Sequence, residues 1–473
     1  MHNPPTRILG VFTLAMINVA AIISLRNLSI MVEYGFACIF YYILAGLIFF
    51  IPTALVCAEL ATGWPRAGGV YRWVSEAFGT RVGFMAIWMA WMLSIAWFPT
   101  VLTFTAAAIA YLFDPQLIHH TGYMISVMLS VFWGATLINF LGMRTSSWIS
   151  TLGVILGTII PGILIIGLGA LWLWLGKPIN IEMSVKTLFP KWELTNMVFF
   201  VGVILSLAGM EMSAFHAREA KDPQRDYPRS ILISALIILV LSILGSLAIA
   251  LVVPPKDVSL FAGLMQAFKE FFKAFGISWA LPWLALFAII GSLAGVNTWI
   301  IGPAKGILAS AQDGYLPPWM QTKNKQGMPI GTLLTQAVLG SVLSLVFFLM
   351  PTINSAFWII TALTVQFAML MYGLIFLSAI KLRFTQPQKV RPYKIPGGQW
   401  GMLVVAGTGI LAASYAFIIG FIPPMQLETG SILVYEGYLI GGLVGLSLPP
   451  VYFILCKKPH WQTNHWYASV EDS

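Results

Sequence analysis

Two ionisable side chains stand where their neighbours leave no room for water. Arg26 lies in an apolar run from Leu9 to Met31, with Ser24 and Asn27 beside it, and Glu211 lies in the stretch 207–213 of another. A charge at the centre of a membrane-spanning helix costs about 2.5–3.5 kcal/mol even on insertion scales, so each of the two calls for a cavity, a partner or an escape route. Arg26 sits in the outer part of its run, so its long side chain has two readings: it faces a polar cavity, or it snorkels to the interface. Glu211 is too short to snorkel, which leaves a cavity or a structural pairing. Gly209, two residues away, fits close helix packing as well as a break. Trp299 stands among Gly295, Gly302 and Pro303, where Gly and Pro loosen the helix beside an aromatic ring. His216 would titrate near physiological pH, although a solvated helix end accounts for it more simply.

Other chemistry is absent from the pattern. His2, His119, His120, His216, His460 and His465 form no metal-binding pair, and Cys38, Cys57 and Cys456 have neither zinc spacing nor a disulfide framework. No nucleophile motif or catalytic carboxylate pair is visible, so an enzyme is not expected and no cofactor is implied. Rings of pore-lining polar groups, which a channel would need, are also missing.

The elements that must position Arg26 and Glu211 follow from composition. The 473 residues are 59% hydrophobic and only 9% charged, against about 25% charged in soluble domains. This predicts an all-α polytopic membrane protein embedded in the lipid bilayer. Apolar runs near 8–31, 36–61, 81–112, 123–143, 149–175, 197–217, 229–253, 280–309, 330–350, 355–380, 400–422 and 433–456 give about twelve spans. The net charge of +9 does not point to nucleic acid, because the basic residues are sorted by side. Most of the 26 Lys and Arg fall on segments that a cytoplasmic N-terminus places inside, whereas Lys177, Lys186, Lys191, Lys256, Lys269 and Lys273 fall opposite. The positive-inside rule then puts both termini in the cytoplasm. Between spans, 261–275 alternates apolar residues and lysines around a helical turn, which fits an interfacial amphipathic helix or a simple connecting one.

Spans 1 and 6 are the corresponding members of two five-span halves, and interruptions at matching places mark the midplane site of a transporter built from inverted repeats. One membrane domain is expected, with a first repeat at 8–175, a second at 197–380, two extra helices at 400–456 and a short cytoplasmic tail at 457–473.

Longer motifs add a resemblance. The run Ala58-Glu59-Leu60-Ala61, then 64–73 (Trp-Pro-Arg-Ala-Gly-Gly-Val-Tyr-Arg-Trp) and Ala77-Phe78-Gly79, resembles the second-to-third span signature of the amino acid, polyamine and organocation transporter superfamily. Gly209-Met210-Glu211 followed by 218–228, the segment 313–317, and Arg391 to Gly398 are similar to further parts of the same pattern. Within that superfamily, 299–306, 362–365 and Tyr372 look most like the bacterial glutamate/γ-aminobutyrate antiporters. The resemblance implies a five-plus-five inverted-repeat fold with spans 1 and 6 unwound, and amino acid exchange across the bacterial inner membrane. By position it assigns Glu211, Trp299 and Tyr372 to the substrate pathway and Ser24 to the unwound part of span 1. With their neighbours, the expected substrate-binding set is Ser24, Arg26, Ser206, Gly209, Glu211, Trp299 and Tyr372. The chain departs from the pattern around the span 1 break, where Ile23, Ser24, Leu25 and Arg26 replace glycines, and at Ala368 and Gly295, where a tyrosine and an acidic residue are usual. The leading expectation is a secondary amino acid antiporter working by alternating access. The alternative is a symporter for amino acids or polyamines that takes protons as coupling ions through Glu211 or His216.

Overall fold

The computed structural model describes residues 10–64, 68–141, 153, 155–190, 194–211 and 222–462. His216, the motif residues 65–67 and 218–221, and the tail beyond 462 lie outside the described residues. Ten helices among those described are long and apolar enough to cross a membrane. The sequence reading places twelve spans, and the difference falls at 8–31 and 197–217. In the first, the helix Val11–Ile22 stops and a 3₁₀ segment, Leu25–Ala37, begins beyond Ser24. In the second, Leu194–Ser206 ends and helix resumes only at Met210.

Two helices form the centre. In the most apolar stretches of Thr80–Phe113 and Ile353–Thr385, 89% and 83% of residues are buried, whereas in Ile432–Leu455 only 11% are. That outer helix leaves Leu433 and Leu455 exposed. An apolar surface of this extent is stable only against lipid, and the chain is a multi-pass membrane protein.

Close approach of helices depends on small residues. A Cβ on Gly157 would lie 2.2 Å from the Cα of Gly291 and 2.4 Å from the carbonyl oxygen of Phe287. The segment Ile155–Ile159 and the helix Leu281–Leu308 therefore touch backbone to backbone, the contact that small residues permit in membranes.

The segment expected as an interfacial or connecting helix is Gly263–Ala274. Its apolar face turns inward: Phe268, Phe271 and Phe272 are buried, and Phe271 packs edge-on against Trp172 with ring centroids 5.5 Å apart. Its exposed residues are Lys269, Glu270, Lys273 and the terminal Ala274. The interfacial reading gives way to a connecting helix, because the protein core rather than lipid takes up its apolar stripe.

The signature segments 58–64 and 391–398 meet in one buried charge cluster. Glu59 accepts a hydrogen bond from the Arg383 guanidinium at 2.6 Å and from the backbone N–H of Ile395 at 2.8 Å, while Nε of Arg391 lies 3.4 Å from the same carboxylate. All three side chains are buried. Arg383 also donates to the carbonyls of Ile395 and Gly398, and Arg391 to those of Leu382 and Gln386. Trp64 stacks on Arg391. Burial lowers the Arg391 pKa from the ordinary arginine value and Glu59 opposes the shift, so the group remains a cation.

Candidate functional site

Both helix breaks open onto one cavity of about 90 Å³, and all seven expected residues line it: Ser24, Arg26, Ser206, Gly209, Glu211, Trp299 and Tyr372. The first break is backbone geometry. Ile23 and Ser24 take extended conformations, and Ser24 precedes the first residue of the 3₁₀ segment. A helix start leaves its leading N–H groups without intrahelical carbonyls, and here Leu25 and Arg26 supply them at the cavity wall. The second break depends on Gly209, whose φ of +125° is open to glycine and costly for any residue with a Cβ.

Tyr372 bridges the second break. Its hydroxyl accepts a hydrogen bond from the N–H of Gly209 at 2.8 Å and donates to Oε2 of Glu211 at 2.5 Å. The tyrosine is fully buried, and Phe49 packs edge-on against its ring. Glu211 is 4% exposed, and the Tyr372 hydroxyl, from the Ile353–Thr385 helix, joins the backbone N–H groups of Gly209 and Glu211 in holding its carboxylate; no cation among the described residues pairs with it. Ser206 turns its hydroxyl back to the carbonyl of Val203 at 2.7 Å, a self-satisfied arrangement that leaves its oxygen as an acceptor.

Arg26 does not snorkel. It is 4% exposed, its Nη1 donates to the hydroxyl of Thr100, and Nε and Nη2 both reach Oδ1 of Asn27, at 3.2 and 2.9 Å. Its guanidinium carbon lies 5.5 Å from the ring of Trp97 and 5.8 Å from that of Phe357. The aromatic flanks explain why the charge rests there instead of reaching for the interface: a cation over a desolvated ring gains about 2 kcal/mol.

Trp299 and Trp97 form a tilted pair with centroids 5.5 Å apart, so the ring at 299 belongs to a two-tryptophan wall. A ring in that wall contributes dispersion area, and about 0.5–1 kcal/mol or more of attraction to a substrate ammonium. Trp299→Ala is expected to weaken substrate binding several-fold more than Trp299→Phe does, read from half-saturation of uptake in proteoliposomes. Equal half-saturation in the two variants would reduce the ring to packing.

Trp97, Thr100, Phe357 and the cavity residue Ser292 were not legible as site residues, because each is an uncharged side chain of a common type within an apolar helix. Pro99, inside the Thr80–Phe113 helix, was the one signal available near Trp97 and Thr100.

At the molecular end that carries Arg72 and Lys457, a second cluster ties elements together. Arg72 lies 3.5 Å from Asp313, which also accepts a hydrogen bond from the Tyr71 hydroxyl. Burial and the neighbouring carboxylate push the Tyr71 pKa up, so it stays a donor at any physiological pH. Lys457 sits 4.3 Å over the ring of Tyr315.

Comparison with known proteins places the chain among transporters. The amino acid permease family matches residues 9–444. An uncharacterized transporter of Legionella pneumophila is 46% identical over 456 residues, covering 96% of this chain and 98% of that one. A glutamate/gamma-aminobutyrate antiporter of Lactococcus lactis is 31% identical, over 89% of this chain and 86% of its own length. A probable agmatine/putrescine antiporter of the same species is 23% identical, over 86% of each chain.

Proposed function

The chain belongs to the amino acid permease family, and on that premise we propose that it is a secondary amino acid exchanger of the bacterial inner membrane, with both termini cytoplasmic, working by alternating access. In this reading 8–175 and 197–380 are its two repeats and 400–456 its two further helices. The observation that carries it is the meeting of two helix breaks on one cavity, lined by Leu25 and Arg26 from the first break and by Gly209 and Glu211 from the second. Backbone amides at such a break suit a carboxylate, while carbonyls and a carboxylate suit an ammonium. Trp97 and Trp299 would pack against the aliphatic part. Tyr372 holds Gly209 and Glu211 together, so releasing its hydroxyl would free the second break to move.

Counterflow decides between exchange and proton symport. Proteoliposomes loaded with an unlabelled amino acid are expected to take up the labelled one with no pH gradient. Uptake that appears only when a pH gradient is imposed would replace exchange by the symport alternative, for which Glu211 is the carrier among the described residues and His216 lies outside them. The role of Glu211 has its own test. Glu211→Gln keeps an acceptor for the Tyr372 hydroxyl and removes the charge, worth about 1.5–3 kcal/mol in a hydrogen bond to an ionised group. Normal membrane levels with transport slowed about tenfold or more are the expected result. Unchanged rate and pH profile would leave the residue purely structural.

A further inference from the structure

Among the described residues three arginines are buried among the helices and their connecting loop: Arg26, Arg383 and Arg391. The last two share the carboxylate of Glu59. Arg26 has no ion pair among the described residues, and its nitrogens end on neutral acceptors, the side chains of Asn27 and Thr100. The same protein therefore compensates one pair of buried guanidinium groups and leaves the third uncompensated, on the wall of its central cavity.

The opposite charge is also on that cavity but not in contact with Arg26. Glu211 is engaged by Tyr372, and no ion pair joins it to Arg26. A cavity with a cation and an anion held apart is complementary to a molecule that carries both charges. The position of Arg26 adds a route. A separate polar vestibule of about 400 Å³, lined in part by His119, Lys256, Asp257 and Asn354, also reaches Phe261. Phe261 packs on Phe357 with centroids 6.3 Å apart, and Phe357 in turn flanks the Arg26 guanidinium. Vestibule, two rings, guanidinium and cavity follow one another in that order.

Resting on the reading of this cavity as the transport site, we propose that Arg26 determines specificity: it requires a carboxylate on the substrate and rejects molecules whose only charges are positive. A guanidinium offers a carboxylate two parallel N–H donors and cannot discharge at physiological pH. A diamine or decarboxylated amino acid would leave the cation unpaired and bring a like charge into a poorly screened site. The carboxylate also supplies the compensation that draws the guanidinium off the Phe357 ring and opens the passage from the vestibule.

The test uses pairs that differ only by the carboxylate: L-ornithine with putrescine, L-arginine with agmatine, and L-alanine with ethylamine, each as competitor in counterflow by the wild-type protein in proteoliposomes. Each amine is expected to compete at least about tenfold less well than its amino acid. Arg26→Gln is expected to erase that gap, and Arg26→Lys to slow exchange while keeping the ranking, since an ammonium keeps the charge without the two-point geometry. An amine competing as well as its amino acid in the wild type overturns the proposal, and needs no variant to fold. So does an Arg26→Gln protein that still exchanges with the wild-type gap. A wild type that exchanges no amino acid overturns the transport reading and this proposal together, which separates that failure from the failure of Arg26 alone.

Discussion

Replacing Glu59 with Ala is expected to cost the protein most of its stability. The substitution strands Arg383 and Arg391, both buried, and leaves the N–H of Ile395 without its 2.8 Å acceptor. Breaking a buried ion pair from one side costs about 3–5 kcal/mol, because the remaining charge keeps its desolvation penalty without compensation. Here two guanidinium groups lose the same carboxylate. In mild detergent, Glu59→Ala should lose its monodisperse elution peak or melt well below the wild type. Removing charge from both sides tests the cause: Glu59→Leu combined with Arg383→Met should recover part of the loss, since apolar replacement of a buried pair is often near neutral. Identical melting of Glu59→Ala and wild type would show that the carboxylate holds nothing together. Because the cluster joins the 58–64 and 391–398 segments and neither segment lines the cavity, its primary effect falls on folding rather than on substrate affinity.

The second large effect is expected at the crossing of Gly157 and Gly291. A methyl group on Gly157 would meet backbone atoms of Gly291 and Phe287 between 2.2 and 2.4 Å away, and backbone has no rotamer to give. Overpacking that side chains can absorb costs about 1–3 kcal/mol, so at this contact the helices must separate. Gly157→Ala should lower the melting temperature, and because both glycines line the cavity, it should impair transport even in the fraction that folds. Gly167→Ala is the control: it lies further along the same helical span, Ile155–Trp174, with nothing within 4 Å of its Cβ direction. Equal melting of Gly157→Ala and Gly167→Ala would refute the close crossing.

Much of the architecture was legible in one dimension because lipid imposes a one-dimensional rule. A chain in hydrocarbon must satisfy its backbone internally, so spans read directly as apolar runs, and a charge or a break inside one stands out against its neighbours. Arg26, Ser24, Glu211 and Gly209 were found that way, and the structure puts all four on the same cavity. The segment 261–275 shows the limit of that signal. Its apolar stripe was plain, but a stripe states only that something apolar must cover it, and Trp172 and the core do so instead of lipid.

Partnership was not legible at all. Glu59 and Arg383 are 324 positions apart, and Tyr372 and Glu211 are 161 apart; nothing local to either residue names the other. Trp97 and Phe357 look like any aromatic in an apolar helix, and only helix packing makes them the flanks of Arg26. From its sequence alone the chain was determined to cross the membrane many times, to interrupt two of its spans, and to carry two charges that hydrocarbon would not tolerate, because each of these is a free-energy cost local to a few residues. Which of the described charges are compensated and which is not was decided by the tertiary structure, since compensation depends on distances between helices that no single helix encodes.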